Sequence, residues 1–158
     1  MNTVVDVAGT SSSADVALEF CIRLSRAHAT VTRRLDNVLS GLHGLSFSDF
    51  MILLYLERAP GAKLRRVDLA ERLGLTASSI TRSLLPLEKL GLVLRQSDPR
   101  DARVGYATLT DSGRQLLSYA MTSVRSIAQD STEPVPAEQI KSVSVLLGRL
   151  AGMNSSNS

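Results

Sequence analysis

A mainly α fold with one small antiparallel β hairpin, carried between long terminal helices, is what this 158-residue sequence predicts. Three observations carry that reading. Apolar residues recur at helical spacing over most of the chain. One pair of short β-type segments, residues 92–96 and 104–109, brackets the turn-forming run 97–103. Capping residues, glycines and prolines cut the remainder into helix-sized pieces. With 44% hydrophobic and 21% charged residues, the chain has the make-up of one well-cored domain.

Residues 1–13 and 152–158 are small, polar and aperiodic, and read as disordered tails. From Val16 an apolar stripe runs through Phe20, Leu24, Ala27, Val31, Leu35, Val38 and Leu42. Its steps of three and four describe one face of a helix about 28 residues long, which Gly41-Leu42-His43-Gly44 ends. So long a one-sided helix exceeds the needs of a small core, and residues 14–45 are read as an N-terminal dimerisation helix. Ser46, with Asp49 three residues on, is a capping signal for a second helix bearing Phe47, Phe50, Leu53, Leu54 and Leu56. Pro60-Gly61 closes it. Lys63-Leu64-Arg65 predicts an extra strand, and residues 67–73 a short helix ended by Gly74.

The segment from Leu69 to Leu84 has the spacing of a helix-turn-helix. Ala70 is the small residue where two helices cross, Gly74 supplies a left-handed turn, and Ile80 locks the second helix. Thr76 is its N-cap. With Ile80, Leu84 and Leu87 buried, 100° per residue puts Ser78, Ser79, Thr81, Arg82 and Pro86 on or near the opposite side. Short hydroxyls around one arginine suit a helix lying in a major groove, the serines meeting phosphates or base edges and Arg82 forking onto guanine. Gly91 ends this helix, and the hairpin that follows forms a wing. Arg100 and Arg103 at its tip are placed for a minor groove, while Asp101 is better placed to orient Arg103 than to face phosphates. Residues 46–110 thus read as a winged helix-turn-helix DNA-binding region. Within it, nine basic against five acidic residues give the stretch from Lys63 to Arg103 a net charge of +4, in a chain of +3 overall. That local excess is what phosphate neutralisation requires.

Thr110 caps a helix over residues 111–129 with Leu116, Leu117, Ala120, Val124, Ile127 and Ala128 on one face. Glu133-Pro134-Val135-Pro136 interrupts, and residues 137–150 form a last helix with Ile140, Val143, Leu146, Leu147 and Leu150. Their apolar faces exceed what a DNA-binding module covers, so residues 111–151 read as C-terminal dimerisation helices and the molecule as a homodimer. A lone Cys21 excludes an internal disulfide and a multi-cysteine zinc site. No run is long and apolar enough for a bilayer span, and no signal peptide is evident, so a cytoplasmic location without membrane contact is expected. No nucleophile–base set, phosphate loop or paired-carboxylate motif calls for catalysis or a cofactor.

Leu69-Ala70-Glu71-Arg72-Leu73-Gly74-Leu75, Ser79-Ile80-Thr81-Arg82-Ser83-Leu84, Leu87-Glu88-Lys89-Leu90-Gly91-Leu92-Val93, Asp98-Pro99-Arg100-Asp101-Ala102-Arg103 and Leu109-Thr110-Asp111-Ser112-Gly113-Arg114 follow in order over residues 16–150. Together they resemble the MarR family of bacterial transcriptional regulators. The resemblance implies a triangular homodimer on palindromic double-stranded operators, usually a repressor, released by a small phenolic or other anionic effector or by oxidation. It also implies that Arg103 reads a minor groove beside Asp101, and that Arg82 stands where the family contacts bases. Pro86 departs from an ordinary helix interior and is expected to bend it. Cys21 resembles the oxidised cysteine of the hydroperoxide-sensing branch, but Leu35 and Phe47 stand where those sensors carry tyrosines. It is therefore expected to be a small buried residue, with thiol-oxidation sensing as the alternative. Cys21, His28 and His43 resemble the ligands of zinc-responsive relatives, but fifteen residues part the histidines and no carboxylate pair supports them, so no metal is expected. The favoured switch is an effector pocket between the first helix and the DNA-binding core, using Arg23, Arg26 or His28 against a carboxylate. A winged-helix module that binds another protein is the rival reading.

Overall fold

Described residues 12–101 and 103–153 of a computed structural model form six α-helices and three strands. In chain order these are α1 (Ser13–His43), α2 (Phe47–Arg58), β1 (Lys63–Arg65), α3 (Arg66–Leu73), α4 (Ala77–Lys89), β2 (Val93–Ser97), β3 (Gly105–Leu109), α5 (Asp111–Thr132) and α6 (Ala137–Leu150). The mainly α fold with a small antiparallel sheet is the one the sequence predicts.

Helix boundaries follow local chemistry. The Ser12 hydroxyl accepts from the Asp15 amide at 3.2 Å, and the Asp15 carboxylate accepts from the Ser12 amide at 3.1 Å, so α1 starts ahead of the apolar stripe. It also runs through Gly41 and stops only where Gly44 turns left-handed at φ 66°. The same reciprocal pair, Ser46 and Asp49, opens α2 at 3.0 Å in each direction. Asp36 Oδ1 accepts from the Phe47 amide at 2.6 Å and fixes the angle between the two helices. Most of the predicted tails lie outside the described residues. Where they are described, Ser12 and Ser13 belong to the start of α1, and the Met153 amide bonds back to the Gly148 carbonyl at 2.8 Å.

The sheet has the order β1-β3-β2, antiparallel throughout. β2 begins at Val93, not Leu92, because the Leu92 amide bonds to the Leu87 carbonyl across the left-handed Gly91. Pro86 was expected to bend α4 without breaking it, and the helix runs through it to Lys89 as one element. Pro86 and Arg82 are both exposed, so the bond that proline removes is lost on the solvent side of the helix rather than in the core.

The core gathers where the second half of α1 meets α2, the helix-turn-helix, the sheet and α5. Leu39, Phe50, Leu53, Leu56, Leu69, Ile80, Leu84, Leu87, Val93 and Ala120 are all within 2% of fully buried, or at it, in a cluster that also holds Leu35 and Leu117. Each leucine-sized side chain so buried contributes about 1.5–3 kcal/mol. By contrast, every residue from Ser12 to Val31 is exposed, and α6 buries none. Phe20, Leu24, Val31, Val143, Leu146 and Leu150 stand 36–60% exposed. Among the described residues no single helix is long and apolar enough to cross a membrane.

Candidate nucleic-acid interface

The helix-turn-helix is built from α3, a three-residue turn and α4. Ala70 is buried at the crossing, Gly74 adopts φ 63°, and Ile80 is wholly enclosed. The Leu75 amide bonds to the Ala70 carbonyl at 2.9 Å, closing α3 as the turn leaves it.

The first turn of α4 is knitted by hydroxyls. Thr76 Oγ1 accepts from the Ser79 amide at 3.1 Å and donates to Ser79 Oγ at 2.9 Å, with Ser78 Oγ 3.3 Å away. Arg82 reaches back to Ser79 Oγ at 3.5 Å. Thr76, Ser78 and Arg82 are exposed, whereas Ser79 and Thr81 are half-buried. Thr81 turns its hydroxyl onto the Ala77 carbonyl at 3.0 Å, which leaves it an acceptor for any outside partner. Thr76, Ser78, Ser79 and Arg82 are thus brought together over the first turns of α4, and Thr81 sits to one side.

At the wing, Asp101 Oδ1 accepts from the Arg103 amide at 3.0 Å and from Nε at 3.1 Å, while Oδ2 accepts from Nη2 at 3.2 Å. The Arg103 side chain remains 91% exposed. Its guanidinium and amide hold the Asp101 carboxyl below the usual carboxylate range. Asp98, which sequence reasoning left out, shapes the same loop: Oδ1 accepts from the Arg100 amide at 2.7 Å and Oδ2 from Tyr106 Oη at 3.3 Å. An Asp two residues before a turn amide is a signal that would have found it. Ala102 lies outside the described residues. Behind the wing, Thr110 Oγ1 donates to the Gly91 carbonyl at 2.7 Å and accepts from the Gly113 amide at 3.0 Å, joining α4, the sheet and α5.

Not every cation here is free. Arg65 is held by both oxygens of Asp68 at 2.8 Å, which keeps its guanidinium more firmly protonated than usual. Arg95 meets Glu88 at 3.3 Å. Arg82 and Arg100 meet no carboxylate among the described residues.

A model of the MarR family matches residues 43–104, from the end of α1 through the wing. The uncharacterized HTH-type transcriptional regulator YkoM of Bacillus subtilis is 32% identical over 115 residues, covering 72% of this chain and 71% of YkoM. The chain belongs to the MarR family. It is a DNA-binding transcriptional regulator with a winged helix-turn-helix. Among solved MarR structures, Sco3205 of Streptomyces coelicolor in complex with DNA has a TM-score of 0.79 at 26% identity, covering 89% of this chain and 88% of that one. CouR of Rhodococcus jostii RHA1, bound to p-coumaroyl-CoA, has a TM-score of 0.74 at 27% identity over 84% of this chain and 91% of its own.

The residues considered as a MarR-type switch lie elsewhere. Cys21 is exposed, not buried as expected, because the N-terminal half of α1 packs on nothing within the described chain. Arg23 is paired with Glu19 at 2.7 Å, and Arg26 and His28 are exposed on the same half-helix. None of the three is among the residues lining the depression found between α1 and α5, a groove of about 390 Å³. Its walls are Arg34, Asn37, Val38, Ile127, Asp130 and Ser131, with Arg34 Nη1 3.4 Å from Ser131 Oγ. His43 is engaged by Ser123 Oγ at 2.9 Å, away from both Cys21 and His28.

Proposed function

We propose that this MarR regulator is a cytoplasmic repressor that holds a palindromic operator as a homodimer and lets go when a small phenolic or other anionic effector binds. One observation carries the reading: exposed Arg82 on the first turns of α4 and Arg103 on the wing are each braced by local hydrogen bonds while remaining open to a duplex. In this reading Thr76, Ser78, Ser79 and Thr81 meet phosphates or base edges, Arg82 a base, and Arg100 and Arg103 the flanking minor groove. The DNA complex of Sco3205 supports the docking mode.

Residues 46–110 then bind DNA, and residues 14–45 with 111–151 dimerise. The apolar faces left open on α1 and α6 support that division, since a dimer would cover them. CouR's bound acyl-CoA supports a small-molecule switch. The groove between α1 and α5 offers Arg34 to an anion, a second candidate beside Arg23, Arg26 and His28.

Footprinting the purified chain on its own upstream DNA, followed by titration with aromatic carboxylates, tests the whole reading. A protected palindrome that is lost on titration is expected; no preference for any duplex over random competitor at low salt sinks it. Arg82→Ala should cost about 1–3 kcal/mol on the operator and relax specificity at one base pair. Steep weakening with salt separates DNA binding from a protein-interaction module. The exposed thiol of Cys21 keeps oxidation sensing as a second reading, in which peroxide releases the wild type from DNA but not Cys21→Ser.

A further inference from the structure

β1 and β3 pair through Lys63↔Thr108, Leu64↔Ala107 and Arg65↔Tyr106. One step further along this register, Arg66 stands opposite Gly105. The cross-strand position has no side chain, and the arginine fills it: a Cβ built on Gly105 would lie 2.7 Å from Arg66 Nη2, 2.9 Å from Nε and 3.0 Å from Cζ. The guanidinium is therefore laid against bare backbone. Gly105 is also the last residue of the hairpin ladder, paired with Ser97, so the loop bearing Arg100 and Arg103 springs from this point.

The neighbouring cations of β1 are occupied. Arg65 is forked by Asp68, and Lys63 lies over the Tyr106 ring at 5.1 Å from its centroid. Arg66 is half-buried, yet among the described residues no carboxylate or other acceptor meets its guanidinium. A positioned fork with no internal partner, beside a loop that itself carries two arginines, matches the geometry of a phosphate oxygen at the lip of a groove.

We infer that Arg66 is a DNA-phosphate contact, held at the root of the wing by the absence of a side chain at Gly105. The inference rests on the DNA-binding reading above and adds a residue to it. It makes Gly105 a positioning residue: the glycine is present because the arginine needs its surface. Gly105 is not left-handed, so alanine is conformationally allowed there, and the first atoms in its way are the far end of a flexible side chain. Gly105→Ala therefore moves the guanidinium without removing its charge.

The test is fluorescence anisotropy of the full chain on two duplexes across a salt series, one carrying the footprinted operator and one of random sequence. Arg66→Met, which keeps the aliphatic stem, should weaken both by the same factor, on the order of tenfold, and lower the slope of log K against log salt by about one. Gly105→Ala should produce a similar loss with the charge intact, and the double variant should bind no worse than Arg66→Met alone. Gly105→Ala binding like wild type, or losses that multiply in the double variant, overturns the inference. Arg66→Met leaves the backbone untouched, so an unchanged slope in that variant is equally fatal should Gly105→Ala misfold. If the wild type binds neither duplex at low salt, the DNA-binding reading fails and this inference with it; if it binds both and neither variant differs, only this inference falls.

Discussion

At Asp101 a negative charge sits on the part of the molecule proposed to enter a groove between phosphates. Charge alone says that Asp101→Asn tightens DNA binding. The three bonds it gives Arg103 say the reverse, because an unclamped arginine 91% exposed must be ordered by the duplex itself. We expect weaker operator binding by Asp101→Asn in anisotropy titrations, and tighter binding would show that Asp101 does not order the wing. The pH dependence follows from the direction of its shift. Folded Asp101 titrates below the ordinary value of about 3.9. Its clamp is therefore complete above that value and lost as pH falls through the lower folded one. A carboxyl NMR titration should show this midpoint depressed, and operator affinity between about pH 5 and 8 should carry no step from Asp101. Contacts between residues two or three apart, such as Thr76 with Ser79 or Asp101 with Arg103, could be read from the sequence because the chain itself sets their separation. Arg66 against Gly105 could not, since it exists only once β1 has found its register on β3.

Among the elements, α5 shows how one position can oppose intrinsic preference. Alanine is favoured over glycine inside a helix by about 0.8–1.0 kcal/mol. At Gly113, however, a Cβ would run into the Leu92 carbonyl and lie 2.8 Å from Leu109 Cδ1. Neither is a loose side-chain end: that carbonyl accepts from the Thr110 amide at 3.1 Å, and Leu109 is buried. Gly113→Ala should therefore destabilise by about 1–3 kcal/mol as an overpacked contact, read as a lower urea midpoint at unchanged slope. A neutral or stabilising outcome would mean that α5 shifts freely against the sheet. Helix centres were legible from apolar periodicity, and helix ends only where a cap was recognised. The start of α1 ahead of its stripe was not legible because Ser12 and Asp15 are polar and carry no periodic signal, and the same holds for the run of α5 to Thr132. The continuity of α4 through Pro86 was legible in the spacing of Ile80, Leu84 and Leu87, and the lost bond costs least on a solvated face.

Over the whole molecule, burial stops abruptly: α2 to α5 share a core with the second half of α1, while residues 12–31 and α6 cover almost nothing. Leu146→Asp tests what that asymmetry means. On a lone chain it changes a side chain already 44% exposed and should be nearly silent. In a dimer it puts a carboxylate into an apolar interface, and sedimentation should then show a monomer with much weaker operator binding. An unchanged sedimentation coefficient would move the interface elsewhere. The open helices also bear on gene dosage. If only the paired form grips an operator, then at low abundance halving the number of copies in a cell leaves roughly a quarter of the pairs, by mass action. Control of the target gene would then steepen with the amount of regulator, before any effector is present.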